Sequence, residues 1–183
     1  MRIIAGELKG RTIPAPPGSG TRPTTDALRE TIFSTLEHLV DWTSCNVLDL
    51  CCGTGAMAFE ALSRGAKHAT FVDADRAICK QVEIAAKDLG VAERCTIICD
   101  RIEKVLGPSP LPNPFEVVFS DPPYDLMLSN RIGNALAGKG LLTPGGVWVA
   151  EHGEREALLA DAAWDDLAQK KRGAAVVDIR KLR

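Results

Sequence analysis

The sequence lacks three features that would each assign it to a broad class of protein. No hydrophobic run approaches the roughly eighteen residues that a membrane-spanning helix needs, and the first residues do not resemble a signal peptide. The six cysteines include no C-x-x-C pair, and the three histidines are far apart in the chain. Metal sites need such ligands close together, and only Cys95 and Cys99 have a compatible spacing. We therefore expect a cytoplasmic protein with no metal, no membrane partner and reduced, mostly buried thiols.

Basic residues are scarce in the middle of the chain. The 183 residues carry 22 basic and 24 acidic side chains, a net charge of −2. Residues 31–168 hold eleven basic and twenty acidic groups, whereas residues 1–30 and 169–183 carry net charges of +2 and +5. Basic ends on an acidic middle favour a polyanionic partner. Solvated terminal charges with no partner explain this distribution equally well.

From residue 45 onward, strand-like and helix-like segments alternate. The predicted strands are 45–50, 69–73, 95–99, 115–120 and 146–151. The helices predicted after them are 56–64, 75–89, 101–106, 125–137 and 154–162. A further pair of strands is expected within 165–182, around Gly173. This alternation predicts an α/β fold built on a doubly wound, mostly parallel sheet with right-handed crossovers.

The segment before this alternation is expected to be an N-terminal extension. Two short strands, Arg2–Ala5 and Arg11–Pro14, predict a small β-hairpin, and a helix is predicted from 26 to about 42. At 183 residues the chain fits a single domain. Residues 1–42 would then extend a core formed by residues 43–183.

The most informative stretch, residues 47–58, joins the first strand of the alternation to its helix. The apolar strand ends in the turn Cys51-Cys52-Gly53-Thr54-Gly55. Gly53 and Gly55 allow positive φ angles and let a ligand lie against the backbone and the N–H groups of the helix start. The same spacing also fits a dinucleotide-binding fingerprint. Asp49, in the strand before the turn, favours a cationic or amine-bearing ligand over a pyrophosphate.

Further carboxylates follow the other predicted strands. Because ligands of doubly wound sheets bind at the carboxyl ends of the strands, we expect these groups to face one crevice. Asp73 follows Gly53 by twenty residues, the spacing of an acidic residue that binds ribose hydroxyls. Asp75 is a rival for that role, although its position suits a helix cap, and Asp100 could accept from an adenine amine. Each of these carboxylates could instead only stabilise a helix N-terminus.

The motif Asp121-Pro122-Pro123-Tyr124, after the fourth predicted strand, is more specific. Its two prolines predict a stiff loop rather than a helix start. Because Pro123 has no N–H, the Pro122 carbonyl can face a ligand and form, with Asp121, a pair of acceptors for an exocyclic amine. Tyr124 offers a face on which a planar base can stack. The alternative is a rigid connector that binds nothing.

The glycine turn and this motif together resemble those of class I S-adenosylmethionine-dependent amino-methyltransferases. Five further segments are similar to the RsmD-type 16S rRNA guanine-N2 methyltransferases: 2–6, 9–11, 22–26, 29–30 and 60–66. Two positions depart from that family. Cys51-Cys52-Gly53-Thr54-Gly55 stands where the family typically has F-A-G-S-G, and Asp73 stands where it commonly has Glu.

The resemblance implies a Rossmann-like, seven-stranded sheet, S-adenosyl-L-methionine as the cofactor, and methylation of a guanine N2 amine in 16S rRNA within small-subunit particles. We expect a monomer. The catalytic residues would be Asp121, Pro122 and Tyr124. The cofactor-binding residues would be Asp49, Cys51, Gly53, Gly55, Asp73 and Asp100. The RNA phosphates would be contacted by Arg2, Lys9, Arg11, Arg22 and Arg29, with Lys170-Lys171-Arg172 as a competing surface.

Three other functions are compatible with parts of the sequence. A nicotinamide-dependent oxidoreductase would use the glycine turn but would leave the Asp-Pro-Pro-Tyr motif unexplained. A DNA or RNA adenine-N6 methyltransferase would use the same motif, although the DNA enzymes usually add a target-recognition segment for which this chain has little room. A non-catalytic RNA-binding assembly factor would retain the fold without transferring a methyl group.

Overall fold

Seven strands and five α-helices form the regular structure of the computed structural model, which describes residues 1–14, 26–107, 111 and 114–183. The strands are β1 (Asn46–Leu50), β2 (His68–Asp73), β3 (Cys95–Cys99), β4 (Phe115–Ser120), β5 (Leu142–Gly153), β6 (Trp164–Arg172) and β7 (Ala175–Leu182). The helices are α1 (Asp26–Leu36), α2 (Ala56–Ser63), α3 (Arg76–Leu89), α4 (Ile102–Val105) and α5 (Ser129–Gly138). Within these ranges, no helix combines the length and apolarity needed to cross a lipid bilayer.

The seven strands form one sheet in the order β3-β2-β1-β4-β5-β7-β6. Strands β1 to β5 run parallel, and β7 runs antiparallel between β5 and β6. From β1 the chain adds β2 and β3 on one side, then crosses to add β4 and β5 on the other. A crevice opens at such a reversal, at the carboxyl ends of the strands. The prediction of an α/β, doubly wound and mostly parallel seven-stranded sheet is confirmed.

Helices cover both faces of the sheet. Successive side chains of a strand point to opposite faces, so Val47 and Leu48 of β1 enter two different cores. On one face, α1, α2 and α3 pack with Val47, Phe71 and Phe119. On the other, α4 and α5 pack with Leu48 and Trp148. The central strands are therefore apolar along their length, as expected for a parallel sheet that is covered on both sides.

The N-terminal extension is held mainly by α2. The predicted hairpin of two strands is wrong in extent, because residues 1–14 form a single bridge between Arg2 and Thr12. The buried carboxylate of Glu60 accepts hydrogen bonds from the backbone N–H groups of Ile4 at 2.7 Å and Ala5 at 3.0 Å. These backbone donors are thus satisfied by a side chain and need no strand partner.

The helix predicted at 154–162 does not form. This segment bonds to α5 and β7 instead of to itself. The Asn130 side chain donates to the carbonyl of Ala157 at 3.0 Å and accepts from the N–H of Leu159 at 2.8 Å. The buried carboxylate of Glu156 accepts from the first turn of α5. Tertiary hydrogen bonds therefore override the local helical propensity.

Three other elements differ from their predicted bounds by more than one residue at an end. Helix α1 ends at Leu36 and not near residue 42 as predicted, and a short 3₁₀ turn at Trp42–Ser44 lies where the helix is expected to end. Helix α5 begins at Ser129 because a 3₁₀ turn at Tyr124–Leu126 follows the two prolines. Strand β5 is longer than predicted, since it pairs with both β4 and β7. These shifts leave the carboxyl ends of β1 to β4 where the sequence predicts them.

The thiols differ partly from expectation. All six cysteines lie in the described ranges and are free. Cys45 and Cys79 are buried, Cys51, Cys52 and Cys95 are half-buried, and Cys99 is exposed. The prediction of mostly buried thiols is therefore wrong in proportion, because Cys51 and Cys52 lie in a turn and Cys95 and Cys99 lie in β3, an edge strand of the sheet.

Candidate active site

A cavity of about 1140 Å³ lies at the carboxyl ends of the parallel strands. Strand ends and the loops that follow them supply its polar lining, which includes Asp49, Gly53, Asp73, Asp100, Asp121 and Glu151. Its volume is enough for a nucleoside-sized ligand and a second planar group. The predicted convergence of Asp49, Asp73, Asp100 and Asp121 on one crevice is confirmed.

The turn between β1 and α2 needs glycine at two positions. Gly53 has a φ of 52° and lines the cavity. Gly55 has a φ of 72°, and a Cβ there would lie 2.8 Å from the Phe71 ring and 3.0 Å from the Phe59 ring. Gly55 is not part of the cavity lining, so this geometry gives its predicted contact with the cofactor no support. Its absent side chain instead allows the start of α2 to pack closely against β2.

Asp73 is fixed in orientation by two backbone donors. Its Oδ2 accepts from the N–H of Gly53 and its Oδ1 from the N–H of Asp75, both at 3.0 Å. Each carboxylate oxygen retains a second lone pair that can face the cavity. Asp75 is the N-cap of α3, where its Oδ1 accepts from the N–H of Ala77 at 2.7 Å. Of the two, only Asp73 lines the cavity.

Asp49 lies at the base of the cavity and is only 4% exposed. Its Oδ2 accepts from the N–H of Ala58, in the first turn of α2, at 3.2 Å. Burial raises the pKa of this carboxyl well above its usual range, the Ala58 hydrogen bond opposes the rise, and the charges of Asp121 and Asp73 add to it. A cationic ligand in the cavity would offset this repulsion and favour the ionised form.

Two other residues predicted to bind the cofactor, Asp100 and Cys51, also line the cavity. Asp100 accepts from Lys104 Nζ at 2.5 Å and from the N–H of Arg101 at 2.9 Å, and these hydrogen bonds lower the pKa of the carboxyl. Burial raises the pKa of the Cys51 thiol to about 12, and the charges of Asp73 and other nearby carboxylates add to this effect. Cys51 is therefore a protonated thiol and not a nucleophile. Its backbone φ of 58° lies in the left-handed region, as part of the tight turn after β1.

The Asp-Pro-Pro-Tyr loop continues directly from β4. The N–H of Asp121 donates to the carbonyl of Leu50 at 3.3 Å, which extends the pairing of β4 with β1 by one residue. Asp121, Pro122 and Tyr124 all line the cavity. The Asp121 side chain is open to the cavity but has protein on its other sides. Burial, followed by the charge of Glu151, raises the pKa of this carboxyl to about 7.

Two residues of β5, Glu151 and Gly153, hold the side chain of Tyr124 in place. Its hydroxyl donates to Glu151 Oε1 at 3.0 Å. A Cβ on Gly153 would lie 3.0 Å from the Cβ of Tyr124 and 3.1 Å from its ring. The tyrosine therefore packs on the backbone of Gly153; it lines the cavity, and 37% of the residue is exposed.

The sequence prediction missed the functional importance of β5. Glu151 and Gly153 lie at its carboxyl end, and Glu151 lines the cavity. The rule that identified the other carboxylates, an acidic residue where a parallel strand ends, would also have found Glu151. No sequence signal marks Gly153, because its role depends on the position of Tyr124.

The predicted RNA-contacting residues fall into three groups. Arg2, Lys9 and Arg11 are exposed on the N-terminal extension, and Arg11 donates to the carbonyl of Asp88 at 2.5 Å. Arg29 is fully buried and donates to the carbonyl of Arg2 at 2.7 Å, so its predicted phosphate contact is wrong. It instead ties α1 to the first residues of the chain through the carbonyl of Arg2. Arg22 lies outside the described residues.

A second, smaller cavity of about 360 Å³ opens between α4 and α5. It shares Ile102, Glu103 and Leu128 with the larger one. Neither the glycine turn nor the Asp-Pro-Pro-Tyr loop reaches it. The larger cavity, where the strand ends meet, is therefore the candidate active site.

Known proteins match this chain over nearly all its length. The family model of "conserved hypothetical protein 95" matches residues 1–181. Ribosomal RNA small subunit methyltransferase D of Haemophilus influenzae is 31% identical over 174 residues, covering 94% of this chain and 89% of that protein.

Solved structures show the same fold. Escherichia coli yhhF superimposes with a TM-score of 0.89 at 30% identity, covering 100% of this chain and 98% of that one. An RNA methyltransferase from Salinibacter ruber, solved in complex with S-adenosyl-L-homocysteine, superimposes with a TM-score of 0.65 at 17% identity, covering 87% and 93% of the two chains. The extent of the family match and the identity to the Haemophilus protein lead to one conclusion: the chain belongs to the family of ribosomal RNA small subunit methyltransferase D.

Proposed function

We propose that this protein transfers a methyl group from S-adenosyl-L-methionine to the N2 amine of a guanine in small-subunit rRNA. The observation that carries this proposal is the charge of the cavity. Seven carboxyl side chains line it: Asp26, Asp49, Asp73, Asp100, Glu103, Asp121 and Glu151. Among the described residues, Arg101 is the one basic side chain in the lining. Such a cavity attracts a ligand with sulfonium and ammonium charges and repels the pyrophosphate of a nicotinamide dinucleotide.

The residues of β1 and β2 fit this cofactor. Asp73, held by two backbone donors, has lone pairs available for the ribose hydroxyls. Asp49 places a carboxyl beside the glycine turn, where it suits a cationic group. When bound, S-adenosyl-L-methionine supplies an electrophilic methyl group on a positively charged sulfur. The S-adenosyl-L-homocysteine complex of the Salinibacter ruber enzyme, which has the same fold, supports this assignment.

The residues after β4 fit an exocyclic amine. In our proposal Asp121 and the Pro122 carbonyl accept the hydrogens of the amine and orient its lone pair, and Tyr124 stacks on the base. Asp121 takes the proton that the nitrogen loses as its new bond to carbon forms. A carboxyl whose pKa is raised to about 7 suits this task near neutral pH. The target base must leave its stack to reach the cavity, which is easiest in an RNA loop.

The name of the Haemophilus relative supports small-subunit rRNA as the substrate. Because the cavity is acidic, phosphate contacts must come from elsewhere, and Arg2, Lys9 and Arg11 are the exposed candidates. We place the protein in the cytoplasm as a monomer that acts on 16S rRNA within small-subunit particles. In this proposal residues 1–42 form an RNA-contacting extension of a catalytic core at 43–183.

Methyl transfer from radiolabelled cofactor tests the proposal. Small-subunit particles, naked rRNA and DNA are supplied separately, and the modified base is mapped. Labelling of a guanine N2 in rRNA is the expected result. Labelling of an adenine N6 would establish the adenine methyltransferase instead. Absence of labelling from all three substrates, with RNA still bound, would indicate a non-catalytic assembly factor.

A further inference from the structure

Asp121 and Glu151 lie at equivalent positions on neighbouring strands. In the parallel ladder between β4 and β5, Ser120 pairs with Ala150, and Asp121 and Glu151 are the residues that directly follow this pair in the chain. Adjacent strands are about 4.8 Å apart, so these side chains begin from neighbouring points of the sheet. Both line the cavity. The charge of Glu151 also contributes to the raised pKa of Asp121, as expected for two carboxyls at short range.

Glu151 is also joined to the stacking residue. Its Oε1 accepts the hydrogen bond from the Tyr124 hydroxyl, and Tyr124 packs on Gly153, two residues further along β5. The amine acceptor, the stacking ring and the second carboxylate therefore form one connected group. A base stacked on Tyr124 with its amine at Asp121 would present the neighbouring ring atom to Glu151.

Building on the proposed function, we propose that Glu151 is a specificity-determining residue that accepts the N1–H of the target guanine while Asp121 accepts from its N2 amine. Guanine carries hydrogens on N1 and N2, which are adjacent on one edge of the base. Ionised carboxylates only accept hydrogen bonds, so two of them side by side match this donor edge. Adenine has an unprotonated N1 beside its amine, and a carboxylate facing that lone pair is repulsive. The pair thus favours guanine and disfavours adenine.

The base analogue 2-aminopurine separates the two contacts. It keeps the amine at C2 but has a lone pair at N1 and no oxygen at C6. Target rRNA is prepared with guanine or 2-aminopurine at the modified position, as naked RNA or particles, whichever form the wild type methylates. The value of kcat/KM is measured on both RNAs for the wild type and for Glu151→Gln. Glutamine has nearly the same size and can donate its amide N–H to the N1 of 2-aminopurine.

We expect the wild type to prefer guanine by at least about tenfold, because the analogue leaves the Glu151 carboxylate facing a lone pair. Glu151→Gln should lower the guanine value and reduce the preference by about tenfold or more. Loss of the C6 oxygen weakens the analogue equally in both enzymes, so the change in ratio reports the N1 contact. Unchanged cofactor affinity of the variant, measured by calorimetry, shows that the fold is intact.

Glu154→Gln provides the matched control. Glu154 is exposed just beyond β5 and pairs with Lys171 at 3.0 Å, outside the cavity. This variant should retain both the wild-type rate and the wild-type preference. Equal losses on guanine and 2-aminopurine in Glu151→Gln would overturn the assignment and show that Glu151 only positions Tyr124. A wild type that methylates no guanine would overturn the proposed function itself, and the Glu151 assignment with it.

Discussion

The backbone N–H of Gly53 donates a 3.0 Å hydrogen bond to Oδ2 of Asp73, which joins the glycine turn to the end of β2. The two residues are twenty positions apart in sequence and lie side by side in the cavity. The turn therefore fixes the carboxylate before any ligand arrives. Pre-organisation of this kind lowers the entropy cost of binding.

Replacement of Asp73 should weaken cofactor binding specifically. Asp73→Ala removes the proposed ribose contacts, and we expect a loss of about 1.5–3 kcal/mol in binding free energy. Asp75→Ala is the matched control, because Asp75 caps α3 and does not line the cavity. It should lower the free energy of unfolding by about 0.5–2 kcal/mol and leave cofactor affinity unchanged. Calorimetry that gave the larger affinity loss to Asp75→Ala would reverse the two roles.

Protonation of Asp121 should control methyl transfer. The pKa of this carboxyl is about 7 in the folded protein, above the usual 3.8, because burial and, after it, the charge of Glu151 on β5 raise it. The accepting form is the carboxylate, so the transfer rate should rise as pH rises through about 7 and then level off. NMR titration of ¹³C-labelled aspartate carboxyls measures the pKa directly. In Glu151→Gln the midpoint should move to lower pH.

The raised pKa of Asp121 also makes the stability of the protein depend on pH: the methyl-transfer rate should rise with pH, whereas the contribution of this group to stability should fall. The folded state holds the Asp121 proton more tightly than the unfolded state does, so this group's contribution to the free energy of unfolding falls as pH rises from about 4 to about 7. Asp121→Asn should therefore be more stable than the wild type above pH 7. Because asparagine cannot take the proton of the amine, the variant should also lose methyl transfer while it retains cofactor affinity. Near-normal turnover in this variant would rule out Asp121 as the amine acceptor.

Gly153 should be essential for the position of Tyr124. A methyl group in Gly153→Ala would lie 3.0 Å from the Cβ of Tyr124 and force the ring away from β5. We expect methyl transfer to fall between about tenfold and a hundredfold, with cofactor affinity retained. Gly138→Ala, in α5 where an added Cβ meets nothing within 4 Å, is the control and should stabilise the protein by up to about 1 kcal/mol. Equal activity of the two variants would show that Tyr124 does not need this contact.

The exposed basic residues of the extension should carry phosphate contacts. Each contact to single-stranded RNA adds about 0.7 to the slope of log affinity against log salt concentration. Replacing Arg2, Lys9 and Arg11 with alanine should therefore flatten the slope by about two units. The comparison variant replaces Lys170, Lys171 and Arg172. If that variant flattens the slope and the N-terminal one does not, RNA docks on the hairpin of β6 and β7.

The order of the elements and the residues that meet at the strand ends follow from local sequence patterns. Apolar runs followed by turns fix where β1 to β4 end, and parallel strands bring those ends to one edge whatever the details of packing. Asp49, Asp73, Asp100 and Asp121 could therefore be assigned to one crevice from local pattern alone. The cap at Asp75 was predictable for the same reason, since capping depends on neighbouring residues.

Which side chains face the cavity, and which are buried in packing contacts instead, depends on how the distant parts of the chain come together. Arginine commonly binds phosphate, but Arg29 is buried and donates to the carbonyl of Arg2. Gly55 leaves room for the rings of Phe59 and Phe71, so that α2 packs closely against β2. The segment 154–162 forms no helix because its backbone bonds to the Asn130 side chain and its Glu156 carboxylate accepts from Ser129 in α5. The placement of Glu151 beside Asp121 likewise depends on the register of β4 with β5. These outcomes depend on partners far away in sequence, and a local pattern carries no information about such contacts.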